Sequence, residues 1–215
     1  MPSSTFFRLP EEKRQRLLDA AREEFCAAPF DEVSINRIIR NAHIPRGSFY
    51  QYFSDKTDLF QYLLGDMRHY FFQNLMQILE ETKGDLFEVP LRAFDRFLDQ
   101  SGQADPVLRE CIQMMQMNKG MGTGCLLSEE TMLLPDVICE KMDLSGLRRT
   151  DRSFVSHVFF LTIMALTHTI MATIQMPQLR SGQRSILADQ LEIIRYGSVK
   201  PSPEEVSGGQ GGYEC

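Results

Sequence analysis

Residues 34–53 read SINRIIRNAHIPRGSFYQYF, and the fold of the chain turns on them. Ile35, Ile38, Ile39 and Ala42 recur at three- and four-residue spacing, the apolar face of one short helix. Ala42 and His43 make a turn, and Pro45 opens a second helix, where its fixed φ and missing N–H suit the first turn. Phe49 and Phe53, four apart, form the buried side of that second helix. Arg46, Ser48, Tyr50, Gln51 and Tyr52 are left for other work. Two short helices, the second polar and rich in aromatic residues, have the size and chemistry that enter the major groove of duplex DNA.

Working outward, residues 1–8 read as a flexible arm. Pro10, Glu11 and Glu12 begin a helix that runs to about Ala27, with Leu17, Leu18, Ala21 and Phe25 as its apolar stripe. Pro29 ends it, and Ser34 caps the next helix, which finishes near Asn41. Ser54 caps a fourth helix that continues to about Thr82, with Asp55 and Asp58 in its first turn. Gly84 then breaks it. Further helices are predicted at about 87–101, 105–118, 127–142, 150–176 and 183–197, separated by Gly102, the 120–124 stretch, Gly146, and Pro177 with Gly182. The end of the chain, 198–215, is rich in Gly, Ser and Pro and reads as disordered.

No alternating run of β-branched residues predicts a strand. The expected fold is therefore all-α. A three-helix helix-turn-helix domain over 9–56 joins, through one continuous helix, a larger helical domain over 57–197. The 215 residues and 43% hydrophobic content suffice for such a core.

Net charge is −6, which excludes wholesale electrostatic binding of nucleic acid. Residues 1–56 carry a net charge of +1 and the remainder −7, so contact with DNA must come from a local patch at the N-terminal end. The five cysteines, Cys26, Cys111, Cys125, Cys139 and Cys215, include no C-x-x-C pair. With the histidines scattered as well, no metal site or cofactor is implied. The first residues lack the basic head and apolar core of a signal peptide, so reduced thiols in the cytoplasm are expected. Phe154–Met176 holds 23 residues without a charged side chain, enough to span a bilayer. Its two His, four Thr, Ser and Gln suit a buried helix better.

Two blocks carry a family resemblance: LLDAAREEF at Leu17–Phe25 and GSFYQYFSDKTDLF at Gly47–Phe60. The second is similar to the pattern Gly-Thr-Leu-Tyr-x-x-Phe-x-x-Lys-x-x-Leu-Phe. Residues 13–60 thus resemble the DNA-binding domain of the TetR/AcrR family of bacterial transcriptional regulators. The chain departs from that family at His43, where Gly is usual in the turn, and at Pro45, where Ser or Thr is common.

On this reading Arg46 is the leading base contact, since a guanidinium can bind guanine O6 and N7 together. Gly47 permits close backbone approach. Ser48, Tyr50, Gln51 and Tyr52 supply further groups for bases and phosphates, and Pro45 sits at the helix start beside them. Lys56 is expected to clamp a phosphate at the N-terminus of the fourth helix, with Ser34 and Arg37 as additional backbone contacts.

The resemblance implies a homodimer on palindromic operator DNA, released by a small apolar or amphipathic effector. The 150–176 and 183–197 helices are its expected interface, with Phe154, His157, Val158, Leu161, Ala165, His168, Leu187, Leu191 and Ile194 as candidates. Phe94, Phe97, Met114, Met115, Met117 and Met121 are the candidates for an adaptable effector cavity. Two rival classes remain at this point, a helical small-molecule enzyme and a membrane-anchored sensor. No nucleophile–base pair or phosphate loop favours the first.

Overall fold

A computed structural model describes residues 2–118 and 133–200, and over them the chain is all-α. The helices are α1 (Ser4–Phe7), α2 (Glu11–Ala27), α3 (Ile35–Asn41), α4 (Arg46–Tyr52), α5 (Lys56–Glu81), α6 (Glu88–Phe97), α7 (Pro106–Met117), α8 (Asp136–Cys139), α9 (Arg152–Gln175) and α10 (Arg180–Ser198). Extended pairing among the described residues amounts to two isolated bridges, Leu98 with Ala104 and Leu147 with Val199. The chain forms two compact units. Among the described residues, one takes in those up to Gln73 together with those from Asp105 to Asn118, the other Asn74–Ala104 together with those from Leu133 to Lys200. The continuous helix α5 contributes residues to both.

The first unit is built on α2, α3, α4 and the start of α5. Leu17, Ala21 and Phe25 of α2 meet Ile38 of α3, Phe49 and Phe53, and Leu59 and Leu63 of α5 in one buried cluster. Phe25 and Phe60 bring their ring centroids to 4.8 Å. Two elements here differ from the sequence expectation. Residues 4–7 are a helical turn rather than an arm, because Phe6 is fully buried among the rings of Phe53 and Tyr62. Helix α7, expected in the larger domain with its methionines around a cavity, packs against α2 and places Cys111 and Met114 in this core. Polar contacts hold it there: Arg22 of α2 reaches Asp66 of α5 at 2.9 Å and Glu110 of α7 at 3.7 Å. Tyr70 donates to Asp105, the N-cap of α7, at 2.9 Å.

The second unit centres on α9. Of its buried residues, Val155, Val158, Phe159, Thr162, Leu166, Thr169, Ile170 and Thr173 fall on one face with Ser156 at its edge, and the helix packs against α10 and α6. The buried hydroxyls of Thr162, Thr169 and Thr173 donate to carbonyls one turn back, so these polar groups need no outside partner. Among the described residues α9 is the one helix long and apolar enough to cross a membrane, yet this face has the burial of a core helix. Helix α10 starts three residues before the predicted 183 and runs through Gly182, which was expected to break it. Arg180 and Arg184 fix that first turn by pairing with Asp95 of α6 at 3.0 and 2.8 Å.

The predicted helix over 127–142 survives only as α8 among the described residues. The first residues of the predicted disordered end are bonded: Ser198 O accepts from Arg148 N–H at 2.8 Å, and Lys200 N–H donates to Gly146 O at 3.0 Å.

Helix α5 ends where sequence predicts, and the reason is visible at Lys83 and Gly84, both with positive φ. Gly84 N–H bonds Leu79 O at 2.8 Å and Lys83 N–H bonds Glu80 O at 3.3 Å, the paired closure of a Schellman cap. A Cβ on Gly84 would lie 2.4 Å from Lys141 O. Gly84→Ala should therefore lower stability by at least about 2 kcal/mol, the cost of a left-handed non-glycine residue plus overpacking. Thermal denaturation followed by circular dichroism checks this.

Candidate nucleic-acid interface

The helix–turn–helix is assembled by backbone geometry and one buried carboxylate. Ser34 Oγ accepts Arg37 N–H at 3.4 Å and caps α3. At the other end of α3, His43 takes φ 53, His43 N–H bonds Arg40 O at 3.2 Å and Ile44 N–H bonds Ile39 O at 3.0 Å. Ile39 and Ile44 are both buried, which completes the hydrophobic contact of a second Schellman cap. The turn residue is thus left-handed despite not being glycine, a conformation His tolerates better than most side chains. Pro45 O then accepts Ser48 N–H at 2.9 Å as α4 begins.

Glu24 on α2 sets α3 in place. Only 7% exposed, it accepts Ser34 N–H at 2.9 Å and receives Arg37 Nε on both oxygens, at 2.7 and 3.0 Å. Burial pushes this carboxyl up, but the Arg37 guanidinium and the Ser34 N–H outweigh it and hold it below its ordinary value of 4.5. It therefore stays ionised at neutral pH. Its contribution is present above that ordinary value and is lost as pH falls through the lowered one.

Helix α4 presents a sharply divided surface. Phe49, Tyr52 and the following Phe53 are buried, while Pro45, Arg46, Gly47, Tyr50 and Gln51 are exposed and Ser48 is half-buried. Tyr50, 52% exposed, stands edge-on to Phe49 with centroids 5.4 Å apart. Nothing lies within 4 Å of a Cβ placed on Gly47, so the space beside it is open to an approaching strand.

Three expected contacts are otherwise engaged. Tyr52, 4% exposed, is core and packs near Phe6. Arg37 spends its Nε and one amino group on Glu24, and that amino group also donates to Glu32 O at 2.9 Å. Lys56 does not point its charge outward. Its Nζ donates to Phe30 O at 2.7 Å and Asp31 O at 3.0 Å, and lies 4.8 Å from the Phe30 ring centroid. It closes the 3-10 turn of Phe30–Glu32 onto the start of α5. From the other side Asn118, just past α7, accepts Phe30 N–H at 2.8 Å.

The residues proposed for an effector cavity are divided. Phe94 and Phe97 are buried in the second unit, and Met114 is buried in the first with Met115 and Met117 exposed beside it. Met121 lies outside the described residues. A cleft of about 130 Å³ in the second unit, beside Phe87, Leu147, Arg195 and Val199, is smaller than the roughly 300 Å³ of a typical ligand pocket. Of the interface candidates, Val158, Leu187 and Leu191 are core within their own unit. Phe154, Ala165 and Ile194 are half-buried, and His157, Leu161 and His168 are exposed. An exposed apolar row that the sequence reading missed runs along Ile186, Ile193 and Tyr196 of α10, with Met164 on α9. The seven- and ten-residue spacing of the α10 members is the signal that marks it.

Lys56→Met should cost about 1–2 kcal/mol of stability, by removing charge-assisted bonds to two carbonyls. The salt dependence of DNA binding should stay unchanged. A slope shallower by about one unit would mean the ammonium leaves those carbonyls for a phosphate.

Residues 17–63 match the sequence profile described as bacterial regulatory proteins, tetR family. The regulator SrpR of Pseudomonas putida is 37% identical over 59 residues, covering 27% of this chain and 28% of that protein. An HTH-type transcriptional regulator of Staphylococcus aureus strain bovine RF122 / ET3-1 is 30% identical over 102 residues, 47% of this chain and 54% of that protein. The chain thus spans about half the length, or less, of these curated relatives. The fold is shared more widely. A TetR family transcriptional regulator from Chloroflexus aurantiacus J-10-FL superposes with TM-score 0.53 at 23% identity, over 94% of this chain and all of that one. SmeT, the repressor of the Stenotrophomonas maltophilia multidrug efflux pump SmeDEF, gives 0.56 at 16% identity, over 89% and 94%. The helix–turn–helix built around Glu24 coincides with the profile match, so residues 17–63 form a domain similar to the DNA-binding domain of the tetR family of bacterial regulatory proteins.

Proposed function

We propose that the chain is a cytoplasmic, ligand-responsive transcriptional repressor that binds palindromic operator DNA as a homodimer. The observation that carries this reading is the exposed row Pro45, Arg46, Gly47, Tyr50 and Gln51 on a helix whose opposite face is locked into the core. Arg46 is the base-reading residue, Gly47 admits the DNA backbone, and Ser48, Tyr50 and Gln51 contact phosphates and base edges. A seven-residue reading helix covers few base pairs, so discrimination within a genome requires a second copy at a neighbouring half-site.

The second copy joins through α9 and α10. Leu161, Met164, Ile186, Ile193 and Tyr196 are large apolar side chains between 44% and 73% exposed in the single chain. Such a row is costly to leave in water, and a symmetric four-helix contact would cover it. Effector binding acts by favouring a spacing of the two reading helices that does not fit the operator. Support for the coupling comes from α7, which packs on α2 and ends at the Asn118–Phe30 bond, so its movement would be felt at the turn that Lys56 closes. The effector is apolar or amphipathic.

Selection of bound sites from random DNA tests the reading, with a palindrome of two half-sites as the expected product. On that site Arg46→Ala should lose on the order of 1–3 kcal/mol of discrimination against scrambled DNA. Undiminished discrimination in a gel-shift titration would remove Arg46 from its role. Ile193→Asp should convert a dimer to a monomer in sedimentation velocity, and a dimer that persists would place the interface elsewhere.

A further inference from the structure

We infer that the segment Ser3–Phe7 is a brace for the reading helix, and that Ser3 and Phe6 are positioning residues for sequence discrimination. The inference rests on the proposed reading of DNA by α4.

Helix α4 has only seven residues, too few to be stable alone, and its final carbonyls need partners from outside. Helices α3 and α5 solve this with left-handed residues at His43 and Lys83. Helix α4 cannot, because Phe53 continues in extended conformation at φ −131, ψ 140. Phe53 N–H takes Phe49 O at 2.9 Å. The last two carbonyls are taken by a residue far away in the chain. Ser3 N–H donates to Tyr52 O at 2.9 Å, and the Ser3 hydroxyl donates to Gln51 O.

The same short segment is pinned from behind. Phe6 has no exposed surface, and its ring centroid lies 4.9 Å from Phe53, 5.2 Å from Tyr62 and 6.4 Å from Tyr52. Ser3 also caps α1, accepting Phe6 N–H at 3.4 Å, so the ring and the two bonds form one unit. The turn of α4 that it holds carries the exposed side chains of Tyr50 and Gln51. Discriminating contacts need their donors held to about half an ångström. Contacts to phosphates tolerate more movement. Loosening this turn therefore erodes the difference between the right and wrong sequence before it erodes binding as such.

Ser3→Pro breaks the brace. Ser3 has φ −71, within the range of proline, and the substitution removes the N–H and the hydroxyl together, with the ring Cδ turned against Tyr52 O and the cap on Phe6 N–H lost as well. The full-length chain is titrated against its selected site and against a scrambled duplex, well below the melting temperature. The ratio of the two affinities should fall about tenfold with the scrambled affinity unchanged, the worth of two modest hydrogen bonds. Ser3→Thr, which keeps both donors, should restore the ratio. An unchanged ratio in Ser3→Pro overturns the brace, and so does an equal loss on both duplexes, which general unfolding produces. If the unaltered chain selects no sequence at all, the DNA reading itself falls and the brace with it.

Discussion

The buried Glu24 carboxylate is the contact on which the N-terminal unit depends. A charge taken out of water is tolerated only when its lone pairs are answered, and here a guanidinium and a backbone N–H do so. Both partners lie at the start of α3, so the requirement for satisfaction becomes a requirement on where α3 sits against α2. The turn at His43 then has one direction in which to leave, and α4 follows. Removing Arg37 alone would strand the buried carboxylate, whereas removing the carboxylate would leave a half-exposed guanidinium that water and Glu32 O can satisfy. The pair fixes geometry more than it adds stability.

Much of this unit was legible in the sequence. The boundaries of α3, the proline opening α4 and the strained turn at His43 follow from caps and spacing that act over three or four residues. What could not be read was the use of each polar group. Arg37 and Lys56 are basic residues at the edge of a DNA-binding motif, and sequence offers phosphate as their natural partner. In three dimensions Glu24, thirteen residues back, and the Phe30 carbonyl, twenty-six back, claim them first. Tyr52 sits between exposed Gln51 and buried Phe53 and could face either way until Phe6 folded over it.

The second unit shows a different limit. Helix α10 has two apolar stripes, one through Leu187 and Leu191, the other through Ile186 and Ile193. The sequence reading took only the first, and periodicity alone could not have ranked the two, because the helix turned by one residue is nearly the same amphipathic helix. The inner stripe is chosen by Asp95, whose pairing with Arg180 and Arg184 fixes the rotation of α10 against α6. Burial pushes that carboxyl up, but the two guanidiniums pull it below the usual carboxylate range, so the choice holds at neutral pH. The outer stripe is left over and becomes available for another chain.

Phe6 has a history that the finished fold conceals. Its partners Phe53 and Tyr62 lie about fifty residues further along the chain. At ribosomal speeds of about 5–20 residues per second, on the order of several seconds pass before they emerge. The ring is among the earliest parts of the chain made, yet it is enclosed only when the first turns of α5 arrive, and the unit is completed later still, when α7 packs on α2.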